Sequence, residues 1–271
     1  MTKRPFLLIT NDDGIHAPGI KHLWEAVHDF ADVAIVAPAT EKSGSGLSIT
    51  WTKPLHLHPV QWDKNTPAWS LSGTPADCVK MALAVALEKM PDMIISGVNR
   101  GSNAGGTVLY SGTIGGVIEG ALRGIQGIAF SFSDLETPPV SVTQKYITSI
   151  IQHFLQNPLA SGSLLNVNFP YNCKDRIKGF RIARQGKSRW QELPDRRLHP
   201  EGLPYYWLGG TWGATDESSE SDVTLLEEGY IAATPIHVGE LTCEASYKEH
   251  KNLTEDAFTL NDELIQPESS Q

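Results

Sequence analysis

Cysteine is scarce: Cys78, Cys173 and Cys243 are an odd number, far apart and without a CxxC pair. That disfavours a disulfide framework and a structural zinc site, and the expectation is three reduced thiols in a cytoplasmic protein. No apolar run approaches the ~20 residues that a membrane-spanning helix needs. Met1-Thr2-Lys3-Arg4 leads directly into a strand-like run with no signal-peptide pattern, so no membrane association is expected. Positive charge is in deficit: 22 Lys and Arg against 31 Asp and Glu leave a net charge of −9. That argues against a general nucleic-acid scaffold. It does not exclude a small phosphorylated ligand, because a bound metal reverses the local field. The GxGxxG dinucleotide fingerprint is missing, since Gly44-Ser45-Gly46 neither matches it nor opens a helix. There is no GxSxG nucleophile elbow, no internal repeat and no low-complexity linker.

What is present is an ordinary globular composition, 40% hydrophobic and 20% charged over 271 residues, enough to bury a substantial core. Phe6-Leu7-Leu8-Ile9-Thr10 has the composition of a buried parallel strand. Ile20, Leu23, Trp24, Val27 and Phe30 then recur at helical spacing. Further strands are expected at Asp32–Pro38, around Met93-Ile94-Ile95, at Gly127–Phe132 and at 164–169. Residues 50–58 read as extended. Thr74-Pro75-Ala76-Asp77 opens a helix, with Thr as cap and Pro at the first helical position. Val79, Leu83, Ala86 and Leu87 form its apolar stripe. Ile114, Val117, Ile118, Ala121 and Leu122 mark another helix, and Val142, Tyr146, Ile150, Phe154 and Leu155 a further one. This alternation predicts an α/β fold with a mostly parallel sheet covered by helices on both faces. After Pro170 the pattern changes to strands at 178–184 and 228–235, separated by a long segment, 185–221, rich in Pro, Gly, Trp and charge. A single domain is expected: a core over about 1–170, a C-terminal β extension over about 171–253 and a polar tail over 254–271.

The chemistry gathers at one sheet edge. Asp12 and Asp13 follow the first strand, Ser43 lies in the loop after the second, and Asn99 lies just after the strand of Ile94. In a parallel sheet these ends converge, and ligands bind there. Adjacent carboxylates repel unless a cation separates them. The donors are all hard oxygens, which favours Mg²⁺ or Mn²⁺, with Ca²⁺ allowed. A helix cap beside a solvated acid is the plainer reading of Asp12-Asp13; Ser43 and Asn99 at the same edge weigh against it. Tyr110-Ser111-Gly112-Thr113 precedes the helix of Ile114, where unpaired N–H groups and a partial positive charge suit a phosphate. Capping by Ser111 is the structural alternative. The glycine-rich stretch from Asn99 to Gly106 could add an anion-binding concavity. His56 and His58 read better as strand histidines than as ligands. His16 has no assigned role, and Arg196, Arg197 and His199 fit a solvated loop. Trp190, Tyr205, Tyr206, Trp207 and Trp212 fit an interface better than a base-stacking site.

Together these segments resemble the survival protein SurE family of 5′/3′-nucleotidases. The resemblance is carried by Thr10-Asn11-Asp12-Asp13-Gly14-Ile15-His16-Ala17-Pro18-Gly19-Ile20, Val36-Ala37-Pro38 with Ser43-Gly44, Gly73-Thr74-Pro75-Ala76-Asp77-Cys78-Val79, Ser96-Gly97-Val98-Asn99 and Tyr110-Ser111-Gly112-Thr113, in that order. It is strong over the first 135 or so residues and weak over 172–225. It implies a Rossmann-like core and a C-terminal arm that builds homodimers or homotetramers. It also implies hydrolysis of nucleoside monophosphates, 3′ as well as 5′, with one divalent cation per subunit. By the same resemblance the metal ligands are Asp12, Asp13, Ser43 and Asn99, and the phosphate contacts are Asn103, Ser111, Gly112 and Thr113. Arg100 departs from the small residue commoner at its position in the family. Asp12 is the expected group for orienting or deprotonating the attacking water. Three rivals stand beside this reading, one of them a phosphatase that forms an aspartyl intermediate from a DxD motif, a spacing that Asp12-Asp13-Gly14 lacks. A receiver-like domain also places an acidic pair after its first strand, but needs an acceptor Asp where this chain has Ser96 and Asn99. A nucleotide-binding module without catalysis would bind the same ligand and release no phosphate.

Overall fold

In the computed structural model, which describes residues 4–133, 140–171, 177–213 and 217–258, the apolar runs assemble into one nine-stranded sheet. The strands are β1 (Phe6–Thr10), β2 (Asp32–Pro38), β3 (Leu57–Pro59), β4 (Ala68–Leu71), β5 (Met93–Arg100), β6 (Gly127–Phe132), β7 (Ser163–Phe169), β8 (Phe180–Ile182) and, late in the chain, β13 (Ile231–His237). Their order across the sheet is β3-β4-β2-β1-β5-β6-β7-β13-β8. The central pairings are parallel. The antiparallel pairings are β3 with β4 and β13 with β7. Side chains alternate across each strand, so Leu7 and Ile9 enter one layer and Leu8 the other. The first layer contains α1 (Pro18–Val27) and α4 (Val140–Gln156), which supply Leu23, Trp24, Ile147 and Ile151. The second contains α2 (Pro75–Met81) and α3 (Gly112–Ala121), which supply Val79, Ile114 and Val117. The sheet is therefore mostly parallel with helices on both faces.

Local chemistry explains the helix ends. Thr74 Oγ1 accepts from the Asp77 N–H at 3.1 Å while Asp77 Oδ2 accepts from the Thr74 N–H at 3.0 Å, a reciprocal cap. Burial raises the Asp77 carboxyl, but bonds from Thr50 and Thr74 outweigh it and hold the group low. Leu122 caps the end of α3 and is exposed, unlike the rest of its stripe.

Elsewhere the structure departs from the expectations. Within 50–58 only the last two residues join a strand, and the run that pairs with β2 is β4, whose four residues are too short a run to signal it. Asn99 lies inside β5, at an irregularity in its pairing with β6, rather than after the strand. Segment 185–221 is not a structureless loop. It carries β9 (Arg189–Glu192), β10 (Asp195–Leu198), β11 (Pro204–Trp207) and β12 (Gly210–Gly213), paired β10–β11 and β9–β12 as one long hairpin. α5 (Asp222–Glu227) follows directly. Residues 240–271 form a separate unit, in which α6 (Glu244–Phe258) occupies part of the expected β extension. Cys173 and 259–271 of the polar tail lie outside the described residues. Among the described residues no helix is long and apolar enough to cross a membrane.

Candidate active site

The chain leaves β1 for β2 on one side and reaches β5 on the other side only after β4 and α2. At such a reversal the connections diverge and leave a crevice at the carboxyl edge. Asp12 and Asp13 lie there. Asn11 shapes their turn: its Oδ1 accepts from the Gly14 N–H at 3.2 Å and its Nδ2 donates to the Gly14 carbonyl at 2.8 Å. The Lys42 N–H donates to the Asp12 carbonyl at 2.7 Å, and the Ile15 N–H to the Pro38 carbonyl at 2.8 Å. These bonds fasten the loop after β1 to the loop that carries Ser43.

Asp12 is only 4% exposed. Burial pushes its carboxyl up to about 6; a hydrogen bond from the Thr113 hydroxyl opposes the shift and the charge of Asp13 adds to it. Thr113 Oγ1 donates to Asp12 Oδ1 at 2.5 Å, bridging β1 to the first turn of α3. Burial also raises Asp13, opposed by a bond from the Arg100 N–H, increased by Glu41 and lowered by the Arg100 guanidinium. The exposed Arg100 thus acts on Asp13 through both its amide and its charge. Asn99 Nδ2 donates to the Gly101 carbonyl at 2.8 Å, which turns Oδ1 away from that bond. Ser43 is exposed, and its Oγ donates to Glu41 Oε1 at 2.6 Å. The donors are oxygens, and two carboxyls stand raised side by side with the Arg100 guanidinium as only partial compensation. A hard divalent cation fits such a set. The Ser43 hydroxyl gives its proton to Glu41 and keeps its oxygen lone pairs for such a cation.

The helix end beside this crevice is built for close approach. Ser111 Oγ accepts from the Ile114 N–H at 3.2 Å and caps α3. A Cβ on Gly112 would fall 2.8 Å from Asp12 Cβ, so only glycine admits that carboxylate. The hydroxyl and N–H of Thr113 both bond the Asp12 carboxylate, whereas the Ser111 hydroxyl accepts and keeps its proton, so that proton and the Gly112 N–H are the donors left for an anion. Asn103 is buried. Its Nδ2 donates to Ser131 Oγ at 2.8 Å, its N–H to Asn168 Oδ1 at 2.8 Å, and its carbonyl accepts from Asn166 Nδ2 at 2.9 Å. Next along, the Gly105 N–H donates to both oxygens of buried Asp222, and the Gly106 N–H to the Ser188 carbonyl. Burial raises the Asp222 carboxyl, against bonds from the N–H groups of Gly186, Gly105 and Val223. The glycine-rich loop is therefore clamped between β7, α5 and the foot of the hairpin.

A family model described as Survival protein SurE matches residues 7–192. The chain belongs to the survival protein SurE family. A 5′-nucleotidase SurE of Protochlamydia amoebophila (strain UWE25) is 48% identical over 244 residues, covering 89% of this chain and 94% of that protein. A 5′-nucleotidase SurE of Christiangramia forsetii is 41% identical over 237 residues, covering 86% and 91%. The crystal structure of the SurE protein from Aquifex aeolicus superposes with a TM-score of 0.78 at 36% identity, covering 92% of this chain and all of that one. The SurE match spans every residue from Asp12 to Thr113 discussed above and ends within β9, so most of the hairpin lies beyond it.

Other sequence candidates are exposed. His56 and His58 are exposed and stacked at 6.3 Å, with only His58 in a strand. His16 is exposed, as are Arg196, Arg197 and His199. Among the described residues Cys78 is a buried thiol and Cys243 an exposed one. Several residues escaped the sequence reading: Glu41, Ser45, Asp222 and the pair Asn166 and Asn168. The asparagines left a signal, two amides at i and i+2 in an otherwise apolar strand. Asp222 left none, because its partners are 36 and 117 residues away.

Proposed function

We propose that this chain is a divalent-metal-dependent nucleotidase that hydrolyses nucleoside 5′- and 3′-monophosphates to nucleoside and phosphate. The observation that carries the reading is Asp12: a buried carboxylate beside Asp13, hydrogen-bonded from the first turn of α3, at the sheet's switch point. The 5′-nucleotidase names of its relatives support it. Asp12, Asp13, Ser43 and Asn99 would hold one Mg²⁺ or Mn²⁺, with Ca²⁺ a further candidate. Such a cation supplies charge neutralisation for the phosphoryl group and lowers the pKa of water. Thr113 fixes Asp12 Oδ1, so Oδ2 is the oxygen left to orient the attacking water and receive its proton. The O–P bond from water forms as the ester O–P bond breaks, with the proton leaving with the nucleoside oxygen. Charge spreads over the phosphoryl oxygens during transfer, so positioning and stabilisation dominate. The first-turn N–H of Gly112, with Ser111, Thr113 and the loop of Asn103, forms the anion side. The hairpin, with Tyr206, Trp207 and Leu208 exposed, is the arm through which a homodimer or homotetramer forms. The free thiols accord with a cytoplasmic setting.

The test is a panel of Mg²⁺, Mn²⁺ and Ca²⁺ against 5′- and 3′-monophosphates, scoring released phosphate. Turnover is expected with at least one cation, and Asp12→Asn is expected to lower it about a thousandfold while the protein stays folded. Near-wild-type rates for Asp12→Asn overturn the assignment. Nucleotide binding without release in every cation leaves the non-catalytic module; a stable acyl-phosphate from a small phosphodonor leaves the receiver-like one.

A further inference from the structure

We propose that Ser45 is a further substrate-binding residue of this crevice, its hydroxyl donating to the phosphoryl group; the inference rests on the hydrolase reading above. Ser45 Oγ is a buried oxygen with no hydrogen-bond partner among the described residues. A buried hydroxyl left without a partner is destabilising, and such groups call for a ligand or a function. Its position is defined by Gly112. A methyl group there would lie 2.7 Å from Ser45 Oγ and 3.0 Å from Asp12 Oδ2, so the hydroxyl and the carboxylate oxygen both crowd the bare Cα of Gly112. Asp12 Oδ2 is the oxygen that the Thr113 hydroxyl does not occupy.

The loop carrying Ser45 is anchored rather than draped over the site. The Ser45 N–H donates to the Lys42 carbonyl at 3.2 Å, the Gly46 N–H to the Tyr110 carbonyl at 3.0 Å, and the Ser48 N–H to the Ser45 carbonyl at 3.1 Å. The Gly46 carbonyl packs so closely on α3 that a Cβ on Gly115 would come within 2.2 Å of it. These contacts hold Ser45 against the first turn of a ten-residue helix. The neighbouring groups there are N–H donors in the positive field of a helix start. A hydroxyl held beside that helix start, with its proton unspent, adds a donor for an anion. The cation side of the crevice is the other one, where Asp13 meets Glu41 and Arg100. Ser43 and Ser45, two residues apart, thus serve different charges: Ser43 the metal, Ser45 the phosphoryl oxygen.

The experiment compares the wild-type chain with Ser45→Ala and Ser45→Thr. For Ser45→Ala, kcat/KM on adenosine 5′-monophosphate is expected to fall about tenfold to a hundredfold, the loss of one hydrogen bond to a charged group. Binding of inorganic phosphate in Mn²⁺, measured by calorimetry, is expected to weaken by about the same factor. Half-saturation by Mn²⁺ alone is expected to stay at the wild-type value, the ligand-free Tm of Ser45→Ala to hold or rise, and Ser45→Thr to keep most of the activity. Unchanged kcat/KM and phosphate binding in Ser45→Ala overturn the proposal. So does a loss that tracks a raised Mn²⁺ requirement, which assigns Ser45 to the cation, or a lowered ligand-free Tm with normal phosphate binding, which makes it structural. A wild type that releases no phosphate overturns the hydrolase reading, and phosphate binding still decides Ser45. A wild type that turns over beside an indifferent Ser45→Ala overturns this inference alone.

Discussion

Around Asp12 the polar atoms are buried, tied to one another or left waiting for a partner, and packed so tightly that Gly112 and Gly115 admit no side chain. Along the hairpin of 189–213 the apolar groups lie open: Trp207 is 62% and Leu208 82% exposed. Each region inverts what a protein does with its surface. Buried unsatisfied polar groups destabilise a fold, and a contiguous exposed apolar stretch marks a surface meant to be covered. The two inversions differ in what would relieve them. In the proposed reading a cation and an anion would complete the crevice, whereas another apolar surface would cover the hairpin.

The sharpest way to break the contrast is to spoil the packing of the crevice. Gly115→Ala drives a Cβ to within 2.2 Å of the Gly46 carbonyl, a clash of backbone with backbone that no rotamer relieves. The expected cost is about 3 kcal/mol or more, read from the urea midpoint, together with loss of turnover. A variant of wild-type stability would show that the loop of 42–48 yields freely, and the rigidity ascribed to the cradle would fail with it.

The second test uses charge. Asp12 has an ordinary value of 3.8 and a folded value of about 6. A carboxyl raised by folding binds its proton more tightly in the native state. Its contribution is therefore most favourable below 3.8 and is lost as pH rises to about 6. At about 1.4 kcal/mol per unit, the metal-free protein pays about 3 kcal/mol above that range. Metal-free Asp12→Asn is expected to be more stable than wild type by up to that amount at pH 7.5 and to show no gain near pH 4, measured by denaturant titration. Mn²⁺ is expected to raise the wild-type Tm more at pH 7.5 than at pH 5, and chelation to remove the gain. A metal-free mutant less stable than wild type at pH 7.5 would contradict the picture of a site held at the expense of the fold.

The same contrast explains what could be read from the chain. β1, β2, β5, β6 and β7 are legible because each is a short apolar run buried on both faces. α1 and α3 are legible from their spacing, and α2 from Thr74 and Asp77. Asp12, Asp13 and Ser111 are legible because loops at the carboxyl edge gather where topology directs them. The hairpin is not, since strands exposed on both faces need no alternation: Pro204–Trp207 is exposed throughout. Nor are Ser45 and Asp222, whose meaning lies in contacts with distant segments and leaves no local pattern.

The smallest expected effect falls on the hairpin. Trp190 and Trp212 pair edge to face across β9 and β12 at 6.1 Å, and Tyr206 sits opposite Arg196. If this surface is covered only by another chain, Tyr206→Ser and Leu208→Ser remove nothing from the fold of one subunit. Intrinsic stability at high dilution should then change by no more than about 0.5 kcal/mol, because neither side chain is buried. The sedimentation profile at higher concentration should shift towards the monomer. Should both variants lose several kcal/mol as monomers, the hairpin would be part of the core's own packing. Its coupling to the crevice through Ser188 and Asp222 would then be a matter of stability within one subunit rather than of assembly.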